Sequence, residues 1–253
     1  MHNIIKALGL AVLLAASTAA QAELIGIEVG IAGWQASPSG WVESEKGAAF
    51  GQVDLESDLH LDDQTAGFAW VRLVHPVPLL PNLKVSYTPL KFEGSGQTSR
   101  DFSFGGTTIG ASEQVDSELQ LNQWDATLFY NLLDNVVERD LGLNIKVLDG
   151  SVRATGETSG TTSVDFTVPV PMLYLRGGVD LPFTGLYMGV EGSVLALDSQ
   201  RIADAKASIR YTFASVIGLE AGYRVIKLKL DDLADISADF EAAGPYLGVA
   251  ARF

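Results

Sequence analysis

The chain contains no cysteine, and it has 17 Lys and Arg residues against 31 Asp and Glu residues. The absence of cysteine excludes a disulfide scaffold, thiolate metal sites and cysteine catalysis. The shortage of cations gives a formal net charge of −14. This balance argues against a nucleic-acid-binding protein, because Lys and Arg must neutralise phosphates for such binding.

A long apolar run is also missing after Ala22, where no stretch approaches the roughly 20 residues of a transmembrane helix. The chain is nevertheless 47% hydrophobic. Its apolar residues are spread over segments in which every second side chain is apolar. This period is typical of transmembrane β-barrel strands, whose side chains face lipid and lumen in turn.

The first 22 residues have the pattern of a signal peptide. Lys6 supplies a positive charge, residues 7–16 are apolar apart from Gly9, and Ala20 and Ala22 fit the small-x-small cleavage rule. An N-terminal membrane anchor is the alternative. We therefore predict a signal peptide over 1–22 and one barrel domain over 23–253, beginning at Glu23.

The last residues alternate and end on an aromatic side chain. Leu247, Val249, Ala251 and Phe253 share one face. A terminal Phe preceded by such a strand resembles the C-terminal signal of bacterial outer-membrane barrels. The resemblance implies that the segment from Tyr246 to Phe253 closes the barrel and is recognised by the outer-membrane assembly machinery.

Alternating segments recur along the chain and predict a closed antiparallel barrel of about ten strands. The alternative is a secreted β-sandwich with acidic loops, because sandwiches also have short alternating strands. The predicted strands lie at residues 24–34, 67–74, 83–88, 123–130, 141–147, 173–180, 186–194, 205–213, 219–225 and 244–253.

The connections differ in length, which predicts the orientation, because short turns are periplasmic and long loops face outwards. Short connections are expected at 75–82, 131–140, 181–185 and 214–218. Long acidic connections are expected at 35–64, 94–117 and 150–163, with a shorter one at 231–239. The outer loops are predicted to carry Glu43, Glu45, Asp54, Glu56, Asp58, Asp62, Asp63, Asp101, Glu113, Asp116 and Glu118.

Aromatic residues near the strand ends predict interfacial girdles, formed by Trp70, Trp124, Tyr87, Tyr130, Tyr211, Tyr223 and Phe253. The inward faces carry charges of both signs. In a barrel of this width they are expected to pair and fill the lumen, whereas a hydrated pore is the alternative. The predicted inward charges are Glu28, Arg72, Lys84, Asp125, Lys146, Arg176, Asp180, Glu191, Lys206, Arg210, Glu220, Arg224 and Arg252.

A family resemblance lies mainly in the last third of the chain. The matching residues are Arg176-Gly177-Gly178-Val179-Asp180-Leu181-Pro182, Gly222-Tyr223-Arg224, Asp231-Asp232-Leu233, Phe240 and Gly244-Pro245-Tyr246. They resemble a family of proteobacterial outer-membrane β-barrel proteins with a Gly-Gly signature and no settled function. The resemblance implies fold and location, and it brings no catalytic residues.

An enzyme is the third alternative. Outer-membrane proteases of similar size use acidic and His residues near the outer rim, and His60 lies within Asp58-Leu-His-Leu-Asp-Asp63. His60 could bind a metal or act as a base. His75 precedes a proline in a predicted turn. No Gly-x-Ser-x-Gly, P-loop or His-Glu-x-x-His motif is present.

The sequence therefore predicts an outer-membrane barrel of structural or interaction type that is not an enzyme. Its expected partners are outer-membrane lipid and the assembly machinery, and nucleic acid is not expected. We assign no catalytic, cofactor-binding or metal-binding residue and predict no cofactor. A narrow pore for small solutes and a hydrolase using His60 stay open as alternatives.

Overall fold

A computed structural model describes residues 25–44, 52–77, 79–134, 136–197, 199–214, 216–233 and 236–253. Regular structure in these ranges is entirely β. The strands are β1 (Gly26–Ser44), β2 (Val53–Asp54), β3 (Gln64–Val74), β4 (Asn82–Thr88), β5 (Lys91–Gln97), β6 (Phe102–Phe104), β7 (Thr107–Ile109), β8 (Gln114–Asp134), β9 (Val137–Gly156), β10 (Gly160–Leu181), β11 (Leu186–Leu197), β12 (Gln200–Ala214), β13 (Ile217–Leu233) and β14 (Ile236–Arg252).

Ten of these strands close into an antiparallel barrel, which confirms the predicted fold. The barrel strands are β1, β3, β4 and β8 to β14, and β14 pairs back onto β1. At this seam Phe253 N donates to Ile27 O at 2.8 Å, and Ile27 N donates to Phe253 O at 3.1 Å. Closure removes the open sheet edge, so backbone groups are paired within the barrel as hydrocarbon surroundings require. The described residues include no helix long and apolar enough to cross a membrane.

The remaining strands extend one end of the barrel. β5 continues the line of β4 and pairs with β8, β2 pairs with β1, and β6 and β7 form a separate hairpin. The long connections lie at this end, which is therefore the outer end, and the short ones lie at the periplasmic end. This topology is the one expected of an outer-membrane barrel.

Each predicted strand matches a barrel strand, but most are longer than the alternating apolar pattern indicated. The predicted outer loop at 150–163 is wrong, because β9 and β10 continue through it and turn only at 157–159. Glu43 lies on β1, and Asp116 and Glu118 lie on β8, so these carboxylates belong to strands. The predicted turn at 131–140 is also shorter, since β9 begins at Val137. Glu45 and the signal peptide lie outside the described residues.

The outer surface changes from apolar to polar along the long strands. The lower part forms an apolar belt of the kind that a transmembrane barrel presents to lipid. Above the belt the same surface is hydrophilic and suited to water. On β9 the outward side chains are, from below, Leu141, Leu143, Ile145 and Val147, followed by Asp149, Ser151, Arg153 and Thr155.

The interior changes in the opposite direction. We call the part above the belt the head, comprising the described residues of 35–66, 89–122, 148–172, 195–202 and 226–243. Its interior is a hydrophobic core, as in a water-soluble protein. On β9 the inward side chains are Glu138, Asp140, Asn144 and Lys146 in the belt, followed by Leu148, Val152 and Ala154 in the head.

Most of the aromatic residues predicted for the girdles face outwards. Trp124, Tyr130, Tyr211 and Tyr223 are exposed on the outer surface, and Tyr87 stacks on Trp124 with ring centroids 4.3 Å apart. Trp70 does not belong to a girdle. It points inwards, where its Nε1 donates to Glu28 Oε1 at 3.2 Å.

Candidate functional site: the lumen network and its cap

The lumen of the belt contains the predicted charges. Most are buried, and Glu191 and Lys206 are partly buried. Arg252 and Asp180 lie at the lower rim, where their side chains are 43% and 44% exposed. Away from this rim, the described residues of the lumen include as many cations as carboxylates. They are Arg72, Lys84, Lys146, Arg176, Lys206, Arg210 and Arg224, with Glu28, Asp125, Glu138, Asp140, Glu191, Asp204 and Glu220.

The lower ion cluster consists of Glu28, Arg72, Glu138, Asp140, Arg176 and Arg210. Glu28 Oε2 lies 3.2 Å from Arg210 Nη1 and 3.9 Å from Arg176 Nη2. Arg176 Nη2 also lies 3.2 Å from Glu138 Oε2. Arg72 Nη2 donates to Asp140 Oδ2 at 2.9 Å. Opposite charges from five strands thus converge, and removal of one member leaves others buried without full compensation.

A tyrosine ring organises this cluster. The Tyr187 ring is contacted by the guanidinium groups of Arg176 and Arg210, whose carbons lie 5.5 and 4.9 Å from its centroid. A Cβ atom on Gly178 would lie 2.3 Å from Tyr187 Oη, and one on Gly189 would lie 2.4 Å from it. The ring therefore occupies space that any side chain at these glycines would fill. This contact explains Gly178, the second glycine of the Gly-Gly pair.

The upper ion cluster consists of Asp125, Lys146, Asp204 and Arg224. Lys146 Nζ donates to Gln123 Oε1, Asp125 Oδ2 and Asp204 Oδ2, each at 2.9 Å. These three bonds use all the protons of a fully buried ammonium. Arg224 donates to both oxygens of Asp204, at 3.1 and 2.8 Å. A lysine can therefore lie in the interior because all its donors have acceptors.

Two further pairs bridge the clusters. Lys84 bonds to Glu191, and Lys206 Nζ lies 3.7 Å from Glu220 Oε1. Lys206 Nζ also lies 4.5 Å from the centroid of the Trp70 ring, a cation–π contact. The network consequently continues through the height of the belt.

Several members of the network were missed by the sequence analysis. The predicted turn at 131–140 includes Glu138 and Asp140, and the predicted strand at 205–213 begins one residue after Asp204. An extension of the alternation would have identified them. Asp204 lies two residues before Lys206, and Glu138 and Asp140 share the inward phase of Asn144 and Lys146.

Above the upper cluster the lumen is filled by apolar side chains. Trp34, Phe92, Leu121, Leu148 and Phe240 belong to one buried core with their neighbours. A cavity of about 40 Å³ lies within the ion network, bordered by Lys84, Tyr174, Asp204 and Arg224 among others. Such a volume accommodates only a few water molecules, since each needs about 10–15 Å³.

The first outer connection folds over the head. Leu55, Leu59 and Leu61 are buried in its core. Arg100 Nε donates to Asp58 Oδ1 at 3.2 Å, and its Nη2 donates to Gln52 O at 2.7 Å. These bonds fasten the first outer connection to the second, which contains Arg100. We call residues 52–63 the cap, because they cover the apolar core from the outside.

His60 belongs to the cap, but its neighbours do not form a metal site. Its Nε2 hydrogen-bonds with Gln97 O at 3.0 Å, and its ring lies against Gly96, where a Cβ atom would lie 2.4 Å from Cδ2. The described residues include no group of three or more His, Asp or Glu side chains arranged to hold a metal ion. The contacts of His60 fix the cap to β5.

Glu113 fastens another part of the head. Its Oε1 accepts hydrogen bonds from the Thr158 and Ser159 amides, and its Oε2 accepts one from Ser159 Oγ, each at 2.6 Å. The Ser159 hydroxyl and then the backbone amides stabilise the ionised form and lower the pKa of Glu113 to about 2. We call this contact the Glu113 latch. It ties the start of β8 to the turn between β9 and β10.

The chain matches no protein-family model and no curated protein. Solved outer-membrane barrels share its fold. The outer membrane protease OmpT from Escherichia coli is 11% identical, with a TM-score of 0.58 over 90% of this chain and 97% of that one. At this identity the likeness concerns the fold alone.

Two further solved structures are less similar. The translocator domain of the autotransporter NalP from Neisseria meningitidis is 14% identical, covers 100% of this chain and 96% of its own, and has a TM-score of 0.42. The Yersinia pestis attachment invasion locus protein Ail, in complex with the heparin analogue sucrose octasulfate, is 10% identical. It covers 91% of this chain and 99% of its own, with a TM-score of 0.40.

Proposed function

We propose that the protein is a non-conducting, non-enzymatic outer-membrane barrel of structural or interaction type that displays its head above the membrane. The observation that carries this proposal is the filling of the lumen. Paired charges occupy the belt, apolar side chains occupy the head, and the cap lies over them. A solute would have to displace both the ion network and a hydrophobic core.

The outer surface of the head supports an interaction role. Its exposed carboxylates are Glu56, Asp62, Asp63, Glu93, Asp101, Asp116, Asp149, Glu157, Asp165 and Asp231, whereas its exposed cations are Lys91, Arg100, Arg153, Arg201, Lys227 and Lys229. The excess of acid favours partners with complementary basic surfaces and disfavours anionic ones.

Conductance separates this proposal from the narrow pore. The barrel, purified from the outer membrane, is reconstituted into planar bilayers, and its insertion into vesicles of the same lipid is verified by flotation. We expect no steady single-channel current. A stable open level whose ion selectivity changes in Arg224→Gln would support a pore and contradict the filled lumen.

Hydrolysis separates the proposal from the enzyme alternative. The wild type and His60→Ala are incubated with a mixed peptide library and with a phospholipid, and products are measured by mass spectrometry. We expect neither protein to release products above the level of buffer. Turnover by the wild type that disappears in His60→Ala would establish the rim hydrolase instead.

We also propose that the segment from Tyr246 to Phe253 is the part recognised by the assembly machinery, and that the chain belongs with the Gly-Gly barrel family it resembles. The pairing of Phe253 with Ile27 at the seam supports the first statement. Phe253→Ser should reduce assembly in cells, while the purified variant still refolds in detergent. Normal assembly in cells would contradict recognition of this residue.

A further inference from the structure

The belt has a groove on its lipid-facing surface. It spans β10 to β13 and has a volume of about 420 Å³, within the range of ligand pockets. Gly192, Ala205 and Ala207 form its floor, and Leu175, Val190 and Tyr223 rise around them. The surrounding belt carries larger side chains that face the lipid. The groove is therefore an apolar depression wide enough to hold a hydrocarbon chain.

Basic residues lie directly above this groove. Arg201 and Lys229 are opposite each other on β12 and β13, and Lys227 follows two residues below Lys229. All three are exposed on the outer surface. Their position is notable because carboxylates dominate the outer surface of the head.

Arg201 and Lys229 have no ion-pair partner within 4 Å among the described residues, whereas Lys227 Nζ lies 3.0 Å from Glu241 Oε2. Like charges at directly opposed positions repel each other. On β14, the side away from the groove, Asp239 lies directly opposite Lys229 and Glu241 lies directly opposite Lys227. An anion above the groove would offset this repulsion, and the groove itself would hold an apolar group.

The height of the cations agrees with the headgroup layer. On β12 the outward side chains from Phe213 to Ala203 are apolar or aromatic and span eleven residues, which is ten steps along the strand. At about 3.3 Å per residue and a tilt of about 40°, this segment rises about 25 Å, the height of the hydrocarbon-facing band. Arg201 follows at once, on the outer side.

We infer that this surface binds an anionic lipid of the outer leaflet, with a phosphate between Arg201 and Lys229 and an acyl chain in the groove. The ligand is a phosphorylated glycolipid whose headgroup lies outside, because a free phosphate lacks the chain that the groove accommodates. The site does not depend on the proposed interaction role of the head.

Native mass spectrometry of the full barrel in neutral-lipid nanodiscs tests the site, with diphosphoryl lipid A as the probe. We expect one lipid A per barrel and no retention of its dephosphorylated form. Because each basic residue near a headgroup contributes about fivefold, Arg201→Gln with Lys229→Gln should weaken retention roughly 30-fold. Ala205→Leu, which fills the groove floor, should also reduce retention.

Matched variants keep the test specific. Arg153→Gln removes an exposed cation of the head far from the groove, and Ala221→Leu enlarges a belt residue that does not line it. Both should retain lipid A as the wild type does. Four outcomes would each overturn the site. Two are equal retention of lipid A by all variants and equal retention of the dephosphorylated lipid by the wild type. The others are an effect of the charge variants without an effect of Ala205→Leu, and a dimer of the barrel that occupies the groove.

Discussion

Lys146 and Leu148 are successive inward residues of β9, and both are buried, at 0% and 1% exposure. The first donates three hydrogen bonds within an ion cluster, and the second packs in a hydrophobic core. The outward residue beside Lys146, Ile145, is apolar and faces lipid, whereas the outward residue beside Leu148, Asp149, is charged and faces water. At the boundary between the belt and the head, the inward face of one continuous strand thus changes from polar to apolar, and its outward face changes from apolar to polar.

The comparison shows that burial alone does not determine what a barrel interior contains. In the head, water outside and apolar side chains inside give the distribution of a soluble protein, stabilised by the hydrophobic effect. In the belt the exterior must be apolar, so the inward residues of a narrow barrel can be polar if each charge is paired. The core of the head is therefore apolar, and the one buried carboxylate described beside it, Asp58 of the cap, is paired with Arg100. The belt likewise tolerates no unpaired charge.

The largest expected effect comes from a charge placed inside the head. Leu148→Glu would bury a carboxylate among apolar side chains, so we expect a loss of about 4–5 kcal/mol or more in the free energy of unfolding. Urea unfolding of the barrel in phospholipid vesicles measures it. The control, Ser163→Glu, places the same charge on the outer surface of the head beside Arg153 and should change little. Similar stabilities for the two variants would contradict a dry head core.

A single unpaired charge in the belt should have the next largest effect. Glu28→Gln keeps the size of the side chain but leaves Arg176 and Arg210 without their shared carboxylate. We expect a loss of about 3–5 kcal/mol in the free energy of unfolding, against about 0–1 kcal/mol for Lys227→Gln in an exposed pair. Equal losses in the two variants would indicate a water-filled lumen.

The Gly-Gly pair offers a sharper contrast between the two faces of one strand. Gly178→Ala would force the Tyr187 ring from its place between the arginines, which we expect to cost about 1–3 kcal/mol of unfolding free energy. Gly177 faces outwards, and a Cβ atom there would meet no heavy atom within 4 Å, so Gly177→Ala should be nearly neutral. The same unfolding assay compares them, and a larger loss at Gly177 would contradict the packing around Tyr187.

The smallest effect concerns the Glu113 latch in the head. The folded-state pKa of Glu113 is lowered to about 2, below the ordinary Glu pKa of about 4.3. The latch therefore stabilises the turn fully at pH values above the ordinary pKa, and this stabilisation is lost as the pH falls through the folded-state pKa. Amide exchange at 157–160, corrected for intrinsic rates, should therefore accelerate below pH of about 4. Glu113→Gln should exchange rapidly already at neutral pH, unlike Glu157→Gln. Identical exchange in both variants would exclude the latch.

The sequence predicted the belt well, because its period-2 pattern of apolar residues directly reflects contact with lipid. All ten strands followed from it, and so did the inward charges except Glu138, Asp140 and Asp204. The head was missed because its apolar residues point the other way. On β9 the apolar set moves from odd positions such as Ile145 to even positions such as Leu148, so the predicted strand ends at Val147 although β9 continues to Gly156.

Other features could not be predicted from one sequence. The pairing of Lys146 with Asp204, and of Arg72 with Asp140, joins residues from different strands and depends on the curvature of the closed barrel. The inward direction of Trp70 followed from alternation, yet its aromatic character favoured a girdle. Tertiary contact with Glu28 and Lys206 accounts for its position.

Accessibility along the outward face of β9 tests the reversal most directly, and the absence of native cysteine makes single-cysteine labelling specific. Spin labels at positions 141, 143, 145, 147, 149, 151, 153 and 155 of the reconstituted barrel are compared for collision with oxygen, which enters lipid, and with a nickel chelate, which stays in water. We predict lipid contact through Val147 and water contact from Asp149 onwards. Lipid contact that continued to Arg153, or water contact that began at Leu143, would contradict the account.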